Sequence, residues 1–364
     1  MNKAKAKNKI IVTGGGTGGH LMPAMAICEA VLKDKLFPVL ITDKRCEPYL
    51  PSKLSYEHHI VTLERYAGVK STFKVLKSWL VTLYSMFCII LKEKPKLVIG
   101  CGGYSSAPLI IASILTGTKF VLHEQNAYVG RTNYFLSYIA TKFFVSFVHT
   151  INMPIINSKK IVWTGIPTLD KHIIKKKQSS KNEITILITG GSQGAKIFDD
   201  ISFDTIKLLT KKLPDVQINV IQQVREQNCA KLIKAYSKIG VLAEVANFYH
   251  NIEEKYATAD IFIGRAGAAT VNEIIQYEIP SVLIPYPYAK NNHQYYNALN
   301  LREFEAAWLV NQSEVTPEKL SNIVFEIIKK NKDLKHTKIQ LKKMQIESKK
   351  IILQEIHKII DKPS

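Results

Sequence analysis

At 364 residues, with 46% hydrophobic and 22% charged residues, the chain is long enough for two globular domains and too apolar for a disordered polymer. Its 50 Lys and Arg against 30 Asp and Glu leave a formal charge of +20, which favours anionic partners: nucleic acid, an anionic membrane surface or a phosphate-bearing substrate. Five cysteines, Cys28, Cys46, Cys88, Cys101 and Cys229, without a CxxC pair, argue against a disulfide framework or a zinc site and for a reducing compartment.

In chain order, Met1 to Lys9 is polar and basic and reads as neither a signal peptide nor a membrane anchor. A short apolar strand, Ile10 to Val12, then runs into Gly14-Gly15-Gly16-Thr17-Gly18-Gly19-His20, with a helix predicted from about Met22-Pro23. Glycines permit a tight turn and close approach of a ligand, and the helix start offers free N–H groups that suit phosphate. The GxGxxG spacing alone would suggest a dinucleotide site, but only Asp43 loosely occupies the position for a ribose acid. His20 reads either as a helix-entry residue or as an imidazole aimed at a reacting group. Val39 to Thr42 is a second strand. Trp79 to Leu91 is the most apolar stretch, shorter than the about 20 residues a bilayer requires. It reads either as a buried helix or as one dipping into a membrane interface beside Lys74, Lys77, Lys92, Lys94 and Lys96.

Strand Leu97 to Gly100 leads to Gly102-Gly103-Tyr104-Ser105-Ser106-Ala107-Pro108, where Tyr104 and the serines could bond phosphate or simply cap a helix. Strand Lys119 to Leu122 ends in His123-Glu124-Gln125-Asn126, four polar residues whose burial is costly unless they bind a ligand or one another. A polar linker, Lys171 to Glu183, follows, and the pattern restarts. Strand Ile184 to Thr189 ends in Gly190-Gly191-Ser192-Gln193-Gly194-Ala195, a turn suited to a diphosphate, and Ile218 to Ile221 is another strand. Ile261 to Ile263 leads to Gly264-Arg265-Ala266-Gly267 and a helix from Ala268, on which Glu273 can accept hydrogen bonds from ribose hydroxyls. After strand Val282 to Pro285, Gln294 and Asn297 share a helix face and can read sugar hydroxyls. Strands separated by helices, with glycines at their carboxyl ends, predict two α/β halves with parallel sheets, joined near residues 165–183, their turns aimed at one cleft.

Taken one at a time these turns are weak signals. The ordered set GGGTGGH, GGYSSAP, HEQN, GGSQGA, RAGAATVNE and HQYYNA, spread from Ile10 to about Ile360, resembles the MurG family of bacterial peptidoglycan glycosyltransferases. The resemblance implies the GT-B architecture: two Rossmann-like domains with parallel sheets facing a central cleft. It implies an acceptor- and membrane-facing domain over 1–165, a donor domain over 166–344, and a terminal helix at about 345–364 that packs back on the first. The implied reaction is inverting transfer of N-acetylglucosamine from UDP-N-acetylglucosamine to the C4 hydroxyl of undecaprenyl-linked MurNAc-pentapeptide, at the cytoplasmic face of the membrane. The implied partners are those two substrates and an anionic membrane surface, with no nucleic acid and no cofactor; no DxD-like pair is placed to hold a metal.

Residue by residue, the resemblance implies that Thr17, Gly18 and Gly19 contact the donor from the first turn and that Asn126 contacts its sugar. Ser192 meets the diphosphate, and Tyr249 falls where the family's backbone holds uracil. Ala268, Ala269, Thr270, Val271, Asn272 and Glu273 hold diphosphate and ribose, and Gln294 the sugar hydroxyls. His20, Tyr104 and Glu124 match positions of acceptor binding or catalysis; His20 is the first choice of general base, with Glu124 the second or the group that orients the histidine. One departure stands out: Leu169 occupies the hinge position where the family carries an arginine that reaches the donor, leaving Arg265 and Lys196 as substitutes. The rival readings are a related enzyme using another lipid acceptor such as diacylglycerol, a nicotinamide-dependent oxidoreductase, and a basic nucleic-acid binder. The last rests on charge alone.

Overall fold

The computed structural model describes residues 8–63, 72–103, 106–170, 182–191 and 194–361. The chain divides into two compact units, one formed by residues 1–171 and 346–364 and the other by 172–345. Tyr104, Ser192 and most of the polar linker lie outside the described residues.

In the first unit the described strands are β1 (Lys9–Thr13), β2 (Phe37–Asp43), β3 (Glu57–Val61), β4 (Leu97–Gly100), β5 (Phe120–Glu124), β6 (Lys142–Val145) and β7 (Ile161–Trp163). They form one sheet in the order β3-β2-β1-β4-β5-β6-β7, every pairing parallel. Ile10, Ile11 and Val12 of β1 are all fully buried. A strand covered on both faces reads as a continuous apolar run, which is why this segment is legible without alternation. Helix α1 (Gly18–Lys33) covers one face together with the terminal helix α12 (Ser348–Ile360), whose Ile352, Ile356 and Ile359 form a helical stripe within that core. The other face is covered by α2 (Thr72–Glu93) and α3 (Ala107–Leu115), through Met86, Ile90, Leu109 and Ile110.

Helix α2 is longer than the apolar run seen in the sequence. Its 22 residues extend about 33 Å at 1.5 Å per residue. By length and composition Lys74–Glu93 could cross a membrane, and only 17% of that window is buried. It is therefore not a core helix. Its inward residues Thr82, Met86, Ile90 and Glu93 are at most 6% exposed and pack on the unit, while Leu76, Leu80, Val81, Tyr84 and Leu91 are 52–70% exposed on the outward face.

The second unit repeats the plan. Strands β8 (Glu183–Thr189), β9 (Gln217–Gln223), β10 (Leu242–Ala246), β11 (Ile261–Gly264), β12 (Ser281–Leu283) and β13 (Trp308–Leu309) form a parallel sheet in the order β10-β9-β8-β11-β12-β13. Helices α5 (Lys196–Lys212), α8 (Ala268–Tyr277) and α9 (His293–Glu303) follow the turns singled out in the sequence.

The topology places the glycine turns. In both sheets the strand order reverses direction beside the first strand of the unit, between β1 and β4 and between β8 and β11. Loops leaving the carboxyl ends at such a switch point diverge and leave a crevice for ligands. Thr13 pairs with Gly100 at the end of one such couple, and Thr189 with Gly264 at the end of the other. The adjoining turns pack so closely that side chains are excluded: a Cβ on Gly103 would lie 2.4 Å from the Gly15 carbonyl oxygen, and one on Gly264 2.5 Å from that of Thr189.

Candidate active site

In the first unit, α1 begins directly after the glycine turn, with Thr17 at its N-cap and no side chain capping it. Thr17 and Gly19 are exposed, and Gly18 and His20 half-buried. The imidazole of His20 is fastened from behind: Nδ1 lies 3.0 Å from the Cys101 carbonyl oxygen and 2.9 Å from Oε1 of Gln125. Gln125 Nε2 in turn meets His123 Nδ1 at 2.9 Å and the His123 carbonyl at 3.2 Å. His123 Nε2 ends the chain on the Gly165 carbonyl at 3.1 Å. His123 and Gln125 are at most 1% exposed. Burial pulls the His123 imidazole down to about 4, outweighing its bond to Gly165, so the ring stays neutral at physiological pH.

Glu124 does not orient the histidine; Gln125 does. Successive residues leaving a strand point to opposite sides, so His123 and Gln125 share one side and Glu124 takes the other. There the Glu124 carboxylate, 3% exposed, accepts from Asn126 N at 3.2 Å, Gly130 N at 3.0 Å and Asn133 Nδ2 at 2.9 Å. It anchors the loop and first turn of α4 (Arg131–Ser137). Asn126 itself remains half-buried beside it.

In the second unit, Gly267 precedes α8 with no side chain capping the helix, and Ala268, Ala269 and Thr270 lie at its partly open N-terminus. Val271 is buried, whereas Asn272 and Glu273 are half-buried. The buried hydroxyl of Tyr256 bonds both Glu273 and Thr270; burial and then the Glu273 carboxylate push that phenol up. Tyr256, which belongs to no motif, supports Glu273. Gln294 accepts from Tyr286 N at 3.0 Å through Oε1, which leaves its amide nitrogen to donate outward. Asn297 is fully buried and donates to the Ala266 carbonyl at 3.0 Å. It shapes the turn before α8 and does not reach a sugar. The single proton of the Tyr249 hydroxyl is shared between the carbonyls of Glu244 at 3.0 Å and Gln222 at 3.2 Å, fixing the loop after β10.

Of the two substitutes for a hinge arginine, Arg265 is turned into the protein and Lys196 stays open to solvent. Arg265 is 7% exposed and donates to the carbonyls of Ile284 at 2.9 Å and Pro285 at 3.1 Å and to Gln312 Oε1 at 2.6 Å. Its guanidinium also lies 5.4 Å from the ring centroids of Phe198 and Tyr286. It is a structural tie within the second unit. Lys196 is solvent-exposed and faces Asp200. Leu169 packs on the core beside α12, and Asp170 next to it pairs with Lys33 and Lys349. The position has become an apolar anchor of the first unit.

Two parallel-sheet α/β units, each with glycine turns and helix N-termini at its switch point, define a protein of the nucleotide-binding α/β class. The N-terminal domain profile of glycosyltransferase family 28 matches residues 10–145 and its C-terminal domain profile residues 185–355, so the chain belongs to glycosyltransferase family 28. It is 33% identical, over 97% of this chain and 99% of the relative, to the UDP-N-acetylglucosamine–N-acetylmuramyl-(pentapeptide) pyrophosphoryl-undecaprenol N-acetylglucosamine transferase of Rickettsia bellii. It is 34% identical to the enzyme of that name from Rickettsia prowazekii, over 88% of this chain and 91% of the relative. Among solved structures, Acinetobacter baumannii MurG superposes with a TM-score of 0.79 at 26% identity, covering 96% of this chain and 99% of that one.

Proposed function

We propose that this chain transfers N-acetylglucosamine from UDP-N-acetylglucosamine to the C4 hydroxyl of undecaprenyl-linked MurNAc-pentapeptide, with inversion, at the cytoplasmic face of a bacterial membrane. The observation that carries the reading is the end-to-end match, 33% identical over 97% of the chain, to transferases of that name. The chemistry is a single displacement. The acceptor oxygen attacks the anomeric carbon as the bond to UDP breaks, and the acceptor proton passes to a base. His20 suits that role because Nδ1 is held from behind and no described residue hydrogen-bonds Nε2. In the second unit the N–H groups at the start of α8 take the charge that grows on the leaving diphosphate, and Glu273, braced by Tyr256, takes the ribose hydroxyls. Tyr104 and Ser192 keep the roles that the motif resemblance implies. Calorimetry with UDP-N-acetylglucosamine, UDP-glucose and UDP-galactose, with transfer assays to the muramyl lipid and to diacylglycerol, tests the reading. It predicts tightest binding of the first donor and transfer to the muramyl lipid; preference for diacylglycerol overturns it.

The outward face of α2 supports a second part of the reading, contact with an anionic membrane surface. Leu76, Leu80, Tyr84 and Leu91 line an exposed apolar stripe, with Leu115 of α3, 63% exposed, in the same layer. Lys74, Lys77, Lys92, Lys94 and Lys96, all exposed, flank it. Apolar insertion with lysines at the headgroup level is how an interfacial helix binds an anionic leaflet.

A further inference from the structure

We propose that Gln125 and His123 are positioning residues that lock His20 as its Nδ1–H tautomer, so that Nε2 is the unprotonated nitrogen. The inference deepens the reading of His20 as general base and rests on it for its catalytic meaning, but the lock itself is a matter of hydrogen-bond direction.

The direction is set from both ends by groups that can only accept. At the far end the Gly165 carbonyl requires His123 Nε2 to donate, which leaves His123 Nδ1 as an acceptor. Gln125 Nε2 supplies that donor and also bonds the His123 carbonyl, so the Gln125 oxygen turns toward His20. At the near end Cys101 O and Gln125 Oε1 both face His20 Nδ1, and both accept. The proton therefore belongs on Nδ1. A flip of the ring would set Cδ2 against these two oxygens and forfeit both bonds. A flip of the amide would set Gln125 Oε1 against the His123 carbonyl. The ring is also seated by missing atoms: Cβ positions built on Gly102 and Gly103, at φ +79° and +84°, would stand 3.3 Å from it. His123 remains neutral, so the chain of bonds orients the base and carries no net proton. The tautomer of a histidine is decided by the partner of its other nitrogen.

The test is ring ¹⁵N NMR of the full-length protein at pH 8, combined with kinetics. In the native protein His20 is expected to show protonated Nδ1 and bare Nε2; in Gln125→Leu the Nε2–H form is expected to gain a comparable population. kcat of Gln125→Leu should fall about 10- to 100-fold, with KM for the donor within about twofold, as for loss of an orienting group acting in the transition state. Gln125→Glu keeps an acceptor toward His20, and its charge should move the acid limb of the kcat profile up by about one pH unit. His123→Phe should resemble Gln125→Leu, whereas His123→Asn, which retains an acceptor near the place of Nδ1, should recover to within about fivefold of native kcat. A native spectrum with Nε2–H, or one that Gln125→Leu leaves unchanged, overturns the lock, whether or not Gln125→Glu and His123→Asn are active. If instead the tautomer depends on Gln125 while His20→Ala retains native turnover, the lock stands and the assignment of the base fails.

Discussion

The carboxylate of Glu124 and the side-chain amide of Asn133 meet at 2.9 Å, at the foot of α4. Together with the Gly130 amide at 3.0 Å on the same oxygen, Asn133 makes Glu124 a buried acceptor of N–H groups. Glu124→Gln must turn an amide N–H₂ toward one set of these donors. The expected loss is about 1–3 kcal/mol of stability, the cost of an unmet buried polar group. Urea unfolding of Glu124→Gln reads it directly; an unchanged midpoint with lost turnover would return Glu124 to the role of base.

Arg265 ties β11 to the Ile284-Pro285 turn and to Gln312. Arg265→Met leaves those carbonyls without a partner, and a stability loss of about 1–3 kcal/mol is expected. Donor affinity should stay within about threefold, because the guanidinium faces the protein and not a ligand. Calorimetry with UDP on the folded variant separates the two effects; a tenfold weaker affinity at unchanged stability contradicts the structural assignment.

His123 predicts an acid-labile window. Its folded value, about 4, lies below the ordinary 6.5, so between those values the unfolded chain binds a proton that the native protein does not. Stability therefore falls as pH drops from 6.5 toward 4, by about 3 kcal/mol at about 1.4 kcal/mol per unit. His123→Asn removes that contribution. Denaturant midpoints for native protein and variant at pH 7 and pH 4.5 should converge at the lower pH; a constant difference would contradict the prediction.

On α2, Leu80→Glu with Tyr84→Glu should reduce flotation with anionic vesicles by about tenfold or more while leaving turnover on a short-chain, detergent-free acceptor unchanged. Both side chains are more than half exposed, so folding is not at stake. Trp79 and Phe87, the more conspicuous aromatics of that helix, are half-buried, and Phe87 packs on the core, so charges there would test stability instead. Equal flotation of Leu80→Glu, Tyr84→Glu and native protein removes the contact.

Much of the architecture could be read from the strands that are buried on both faces. β1, β2, β4 and β11 carry continuous apolar runs ending at a polar or glycine-rich turn, and desolvation leaves few other sequences possible there. Some of the segments that escaped notice are under weaker constraint, although β6, with Phe143 and Phe144 fully buried inside the sheet, is not. β3 carries exposed Glu57 and His58 at a sheet edge, and β13 spans only Trp308–Leu309. The site divides the same way. The glycine turns announce themselves because close backbone approach tolerates no Cβ. The partners of His20, the brace beneath Glu273 and the burial of Asn297 depend on residues brought from distant strands and helices.

The chain by itself declares two parallel α/β units, because local backbone geometry and uninterrupted apolar runs are properties of neighbouring residues, and the order of its turns carries the resemblance to a sugar-transferring family. Which member of His123-Glu124-Gln125-Asn126 faces the histidine, whether Arg265 meets ligand or protein, and which side of α2 is left uncovered were decided only by the folded chain. Hydrogen-bond direction and burial belong to pairs of atoms that the sequence can hold more than a hundred residues apart, 105 for His20 and Gln125.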